Sequence, residues 1–434
     1  MGPPFSLAAG NIPAIAPCVF ISKIQFHICF RSRETQMQQL FLAGPSGQLK
    51  PPMNQLFIYT QAAECAMMRE SGVGRQRRQA VLPGMKHSSR GRMTGSTSKL
   101  QVHQAGNRHR SWLASRLSFG GAPIGNLYES VGDAAALATV SEAWRCGIRH
   151  FDTAPYYGYG LSEIRLGKAL SGLPRDSYSL STKVGRLIED DARETSHADG
   201  FIVDGHRARF DYSRDGVLRA FQASLERLGT DHVEVLLLHD IGALTHGARH
   251  AAILRQALDE ALPAMAELRA QGACKAIGLG VNEEAVCLEV MPRFPLDVIM
   301  LAGRYTLFEQ QQAQGVMAQA QARGVAVLAA GPYNSGLLGG AQGPGQFYNY
   351  APADAAVTAR AQRFYEVLAR TRTDVGAAAL QFPLAHPAVA SVVCGLRSID
   401  EVRQAAARIE ANIPAAAWQD LREAGLLQAG VPTP

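Results

Sequence analysis

From about Leu113 onward the chain alternates short, unbroken apolar runs with longer stretches of helical period, and it does so eight times. The runs are RLSFGG (116–121), RHFDT (149–153), YSLSTK (178–183), VEVLLLH (233–239), KAIGLGV (275–281), DVIML (297–301), VAVLAA (325–330) and VASVVCG (389–395). A strand with one wet face alternates apolar and polar residues. Parallel strands covered on both faces instead read as continuous Val, Leu and Ile, as VEVLLL does. Between the runs lie segments such as DAAALATVSEAWRCG, DGVLRAFQASLERLG and ARHAAILRQALDEALPAMAELRAQG, the last closing on a glycine suited to a helix C-cap. Each segment returns the chain for the next parallel strand, and eight such units predict an α/β fold, a (β/α)8 TIM barrel, over residues 113–434. An open doubly wound sheet is the rival, but GGAPIGNLY after the first run lacks the G-x-G-x-x-G spacing of a dinucleotide fold.

Barrels of this kind build their sites at the C-terminal ends of the strands. The second run ends in Asp152, the third in Lys183, the fourth in His239 and Asp240 and the fifth in Asn282, while the sixth leads into Arg304 and Tyr305. Tyr157 follows Asp152 by five residues in DTAPYYGYG, where a proline and two glycines predict a loop folded back over the barrel mouth. Singly, each residue has an ordinary structural role: an Asp caps a helix, a Lys is solvated, a His is a satisfied polar group. Jointly they make a proton-transfer device. A Lys buried at the mouth needs a counter-charge, which Asp152 can supply, and a nearby ammonium favours the phenolate of Tyr157. Such a phenol can give or take the proton that hydride transfer at a carbonyl carbon requires, with His239 bonded to the same oxygen.

At these residues the sequence resembles the aldo-keto reductase family, across nearly all of 113–430. FDTAPYYGYGLSEIRLGKAL matches the family's D-T-A-x-x-Y-G-x-x-x-x-E-x-x-L-G stretch, STK its lysine strand and LLLHD its histidine strand. The resemblance implies Tyr157 as general acid or base, Lys183 lowering its pKa, Asp152 holding Lys183, and His239 orienting the reacting oxygen. GGAPIGNLY, LAGRYTLFEQ (301–310) and GPYNSGLL (331–338) resemble the branch that contains L-fucose dehydrogenase, D-threo-aldose 1-dehydrogenase and pyridoxal 4-dehydrogenase. That branch implies hydride transfer from C1 of an aldose to a nicotinamide cofactor, giving a lactone. A pyridoxal dehydrogenase or general aldehyde reductase is the alternative, and a cofactor-binding regulatory subunit with little turnover is the alternative of another class.

The same resemblance implies the cofactor residues. Gly121 and Ala122 lie in the first loop, Asn282 binds the nicotinamide amide, Tyr305 stacks on its ring beside Arg304, and Gly331, Asn334, Ser335, Gly336 and Leu337 line the pyrophosphate path. CGLRSIDEVRQA (394–405) places Gly395, Leu396, Arg397 and Glu401 at the adenosine end, where a helix start suits a phosphate. Gly395 and Glu401 stand where NADP-type relatives carry Lys and Arg, and a carboxylate there repels a 2′-phosphate. NAD is the expected cofactor over NADP, although Arg397 could pair with that phosphate.

Residues 1–112 read differently: no sustained period, frequent Gly, Pro, Gln and Ser, and almost no acids. An extension outside the barrel is expected, as a disordered tail, a transit peptide, or a stretch absent from a protein that begins at Met85 or Met93. The chain's net charge of +6 is misleading, because residues 1–110 hold 14 Lys and Arg against 3 acids and leave the remainder mildly acidic. A nucleic-acid partner is therefore not expected. Seven scattered cysteines without CxxC spacing suit a reducing cytoplasm, no apolar run is long enough to span a membrane, and a metal hydrolase would need an HxH or HExxH motif that is missing. The partners expected are a small sugar or aldehyde, with monomer and homo-oligomer both open. Two long loops, Leu187–Tyr212 and Tyr333–Tyr350, are candidate lids or plain surface insertions.

Overall fold

A computed structural model of the protein describes Trp112, Leu113 and residues 115–434. Apart from Trp112, the expected extension lies outside the described residues. In chain order the strands are β1 (Leu117–Gly120), β2 (His150–Asp152), β3 (Ser179–Val184), β4 (Arg186–Asp190), β5 (His206–Phe210), β6 (Val233–His239), β7 (Cys274–Val281), β8 (Val298–Ala302), β9 (Ala326–Ala330), β10 (Phe347–Tyr348), β11 (Ala351–Pro352) and β12 (Val389–Gly395). Eight of them close into an all-parallel barrel in the order β1, β12, β9, β8, β7, β6, β3, β2, as the eight apolar runs predict.

Side chains alternate across a strand, so the barrel's two faces follow from parity. On β6, Leu236 and Leu238 pack outward against the helices, which leaves Val235, Leu237 and His239 facing the bore. By the same count His150 and Asp152 on β2, and Ser181 and Lys183 on β3, face inward. The bore is divided in character. From β6 to β9 it is filled by Val235, Leu237, Ala276, Val298, Met300 and Leu328. Towards β12, β1 and β2 it carries a hydrogen-bonded trio in which Ser118 Oγ meets Ser391 Oγ (2.6 Å) and His150 Nδ1 (2.8 Å). Burial pushes His150 down to about 3, so it sits there neutral. Trp112 and Leu113 join the apolar cluster near the N-terminal ends of the strands and cork the bore from below. Trp112 thus belongs with the barrel, one residue ahead of the boundary read from the sequence.

Two departures have local causes. The segment read as one helix over 248–272 runs as His250–Gln256, a π-helical turn Ala257–Ala261 and Leu262–Ala270. Pro263 has no N–H to give the preceding turn and crowds it, which widens the backbone at that point. Both long loops contain hairpins: β4 pairs antiparallel with β5, and β10 with β11. The β4–β5 hairpin pairs through its backbone and faces its strands with cross-strand charges, Glu189 with Arg207 and Arg209, so it lacks the apolar run that marks a core strand.

Candidate active site

Lys183 is fully enclosed at the mouth end of β3. It donates to Asp152 Oδ2 (2.8 Å), Asp152 Oδ1 (3.0 Å) and the Thr153 carbonyl (2.9 Å). Ser181 donates to the same Asp152 Oδ1 (2.7 Å), which fixes the carboxylate in plane with the lysine. Burial alone would discharge Lys183, but Asp152 and Tyr157 hold it above its ordinary value. Room for this long side chain comes from β7, one strand beyond β6, which presents Gly280 to the bore; a Cβ there would lie 3.3 Å from Lys183 Cε.

Tyr157 reaches the lysine because DTAPYYGYG curls sharply. Gly158, Tyr159 and Gly160 all have positive φ, and a side chain on Gly158 would strike the Gly125 carbonyl at 2.3 Å. The phenol ring then stands with its centroid 4.6 Å from Lys183 Nζ and 6.1 Å from the centroid of the His239 ring, at 86° to it. Asp152, Tyr157, Lys183 and His239, read from three separate stretches, therefore meet at one place. The family motif's glutamate, Glu163, is buried away from this spot and accepts from Thr182 Oγ1 and Arg227 Nε, both at 2.6 Å, bracing two helices against β3.

Burial raises the Tyr157 phenol, and the Lys183 ammonium pulls it back without offsetting that rise. The expected drop towards neutrality is thus not present in this state, and the phenol is a proton donor at neutral pH. Burial, reinforced by the Arg186 and Lys183 cations, holds His239 well below its ordinary value, so its imidazole is neutral. Asp240 Oδ2 lies 3.4 Å from His239 Nε2 and favours the tautomer that carries its proton there. A phenol and a neutral N–H that face one space can together hold a carbonyl or alcohol oxygen and exchange its proton.

Both long loops roof the mouth. Phe201, beyond β4, lies nearly parallel to Tyr157 (27°, centroids 6.0 Å) and edge-on to Tyr156. Its segment is tied to the loop after β1 by a bridge to Leu127 and by Tyr128 N donating to the Gly200 carbonyl (2.7 Å). From the other side Phe347 stacks on Tyr128. Asn349 accepts from Arg304 Nη1 (2.9 Å), and Tyr350 N donates to Ser335 Oγ (3.1 Å).

The residues expected to hold the cofactor divide into two groups. Gly331, Ser335 and Gly336 lie at the surface of the rim, Asn282 is half-buried beside it, and Arg304 Nε donates to the Asn282 carbonyl (2.7 Å). Leu337 is buried in the core, and the side chain of Asn334 is turned inward, accepting from Thr306 Oγ1 (2.7 Å) and donating to the Gly303 carbonyl (3.1 Å). Tyr305 corrects an expectation. Its ring is buried between Phe382 and His386, with no open face for stacking on a nicotinamide. Gly121 is enclosed, since a Cβ would meet the Asp152 carbonyl and Ser162 Oγ at 2.7 Å, and it serves close packing beside the half-buried Ala122.

At the far end, Gly395 is exposed, Leu396 is buried, and the helix Ile399–Glu410 starts at the Ser398 cap. The first turn of this twelve-residue helix is closed by the Ser398 cap and carries Asp400 and Glu401, so it favours a neutral or positive group over a second phosphate. Arg397 is already engaged there: Nη1 donates to Glu129 Oε2 (2.7 Å) and its backbone N to Glu401 Oε2 (2.8 Å). Glu129, Arg186 and Phe201 were not read as site residues in the sequence. Arg186 stands three positions after Lys183 in STKVGR, Glu129 directly follows GGAPIGNLY, and Phe201 lies in the loop 187–212.

Fold and site together define a barrel oxidoreductase. The chain belongs to the Aldo/keto reductase family, whose sequence pattern matches residues 116–425. It is 40% identical to pyridoxal 4-dehydrogenase of Microbacterium luteolum over 325 residues, 72% of this chain and 94% of that one. It is 36% identical to D-threo-aldose 1-dehydrogenase of a Pseudomonas species over 324 residues, 73% and 95% of the two chains. Among solved structures, the holo form of an aldo-keto reductase from Bacillus halodurans superposes with a TM-score of 0.56 at 28% identity, covering 73% of this chain and 93% of that one. The protein is accordingly an enzyme that works with a nicotinamide cofactor on small carbonyl or sugar substrates.

Proposed function

We propose that the enzyme is a NAD-preferring dehydrogenase of aldoses of the L-fucose or D-threo type, oxidising C1 to a lactone. The observation that carries this is the enclosed Lys183–Asp152 pair beneath Tyr157, with a neutral His239 alongside. Tyr157 exchanges the proton of the reacting oxygen, Lys183 stabilises the phenolate as it forms, Asp152 keeps Lys183 charged, and His239 donates from Nε2 to the same oxygen. NAD supplies the hydride acceptor at C1 when bound. Asn282 and the exposed backbone of Gly331, Ser335 and Gly336 would hold its nicotinamide and pyrophosphate, and the Ser398-capped helix its adenosine end. The preference for NAD rests on Glu129, which binds Nη1 of the Arg397 guanidinium that a 2′-phosphate would need, and on Glu401, whose carboxylate lies 3.5 Å from its Nε and would repel that phosphate.

Oxidation of pyridoxal is a second reading, favoured by the stacked rings of Tyr157 and Phe201 and by the Microbacterium relative. The full chain, given L-fucose or D-arabinose, should reduce NAD faster than NADP, and Tyr157→Phe should lower turnover by about a thousandfold with the cofactor still bound. Silence with both sugars and activity on pyridoxal would move the assignment to the second reading. Near-full activity in the phenylalanine variant would remove the proton carrier altogether.

A further inference from the structure

Arg186 is a buried cation that the proton-transfer set does not use. It donates from Nη2 to Asp240 Oδ2 (2.5 Å), with the two side chains only 8% and 12% exposed. Tyr156 and Phe210 hold the guanidinium by their ring faces, 3.8 and 4.7 Å from its carbon. Taking two ions out of water costs several kcal/mol each, and apolar residues of similar size often serve stability as well or better. The pair also leaves Arg186 Nε buried without a partner. Asp240 is held at φ 50°, a left-handed conformation that a residue with a Cβ adopts at some cost. A strained carboxylate and an incompletely satisfied guanidinium next to a reacting centre point to a ligand rather than to the fold.

The position of the carboxylate says which ligand. Asp240 Oδ2 is 3.4 Å from His239 Nε2, and with Nε2 holding the reacting oxygen as proposed above, a group bound to Asp240 would lie one or two bonds from that oxygen's carbon. An ionised carboxylate only accepts hydrogen bonds, and a hydroxyl is the neutral group that supplies one while leaving its own oxygen free. We propose that Asp240, aimed by Arg186, binds a hydroxyl on the carbon next to the reacting one, and so selects α-hydroxy carbonyl compounds and the sugars that contain them. Asp240 is the contact and Arg186 a positioning residue. The inference rests on Tyr157 and His239 holding the reacting oxygen, and it names the part of the substrate that a simple aldehyde lacks.

A matched pair of aldehydes tests it apart from the sugar assignment. With NADH, the full chain should reduce lactaldehyde at least tenfold better than propanal in kcat/KM. Asp240→Asn should lower kcat/KM for lactaldehyde at least tenfold more than for propanal, with most of the difference in KM. Arg186→Lys should shift the ratio the same way by less. A wild-type ratio near one, failure to reduce lactaldehyde, or an equal fall for both aldehydes in Asp240→Asn overturns the proposal; the equal fall would mean that Asp240 only orients His239. Should Asp240→Asn fail to fold, the wild-type ratio and Arg186→Lys decide. If sugars are not oxidised while the lactaldehyde preference and its loss are both observed, the aldose assignment fails and this one stands.

Discussion

Gly280 on β7 meets Lys183 on β3 inside the bore, one strand apart, and a Cβ on it would lie 3.3 Å from Lys183 Cε. A residue with no side chain thus sets where the ammonium can lie. Gly280→Ala should push the lysine by a few tenths of an ångström, and Gly280→Val further, with kcat falling by about a hundredfold in the valine variant. Circular dichroism and thermal melting should show the barrel intact. Unchanged kcat in the valine variant would mean that the lysine's placement is not what the glycine protects.

The directions of the two pKa shifts predict the pH profile. His239 is held down and is already neutral, so no activity should be lost as pH falls from 8 through its ordinary value of about 6.5. Tyr157 is held above its ordinary value and stays protonated, so carbonyl reduction should persist beyond the ordinary phenol value of about 10 and fall only above it, as the donor is lost. Alcohol oxidation needs the phenolate and should rise over the same range. Profiles of kcat/KM in both directions check this, and an acid limb near pH 6.5 that disappears in His239→Gln would contradict it.

Arg397 is engaged by Glu129 and Glu401 from different parts of the chain. Replacing both acids with glutamine should free the guanidinium for a 2′-phosphate and raise the NADP-to-NAD ratio of kcat/KM by about tenfold, since a bidentate phosphate contact outweighs a partly exposed ion pair. Cofactor titration by tryptophan fluorescence reads the change directly. No shift in the double variant would place cofactor choice elsewhere.

The barrel was legible because burial on both faces leaves continuous apolar runs: all eight barrel strands lie within two residues of the predicted limits, VEVLLLH and VASVVCG at both ends. Asp152, Lys183 and His239 were legible for a related reason, each closing a run where parity turns it inward. The β4–β5 hairpin was not, because its strands pair through the backbone and carry surface charges such as Glu189 and Arg209, which leave no apolar trace. Tyr305 misled because a ring that follows a strand end reads alike whether it lies on the mouth or behind it; only packing against Phe382 separates the two. Glu129 could not be found, as its partner is 268 residues away and an exposed acid carries no signal of its own.

Trp112 and Leu113 fill the end of the bore opposite the chemistry. A fragment cut to begin at Ser115 would let water into a channel lined by Val235, Ala276 and Val298, and it should melt at lower temperature than one beginning at Trp112. The tryptophan would then be a stopper whose removal loosens catalysis from below, which makes the lower rim of the barrel as sensitive a target for inactivation as the upper.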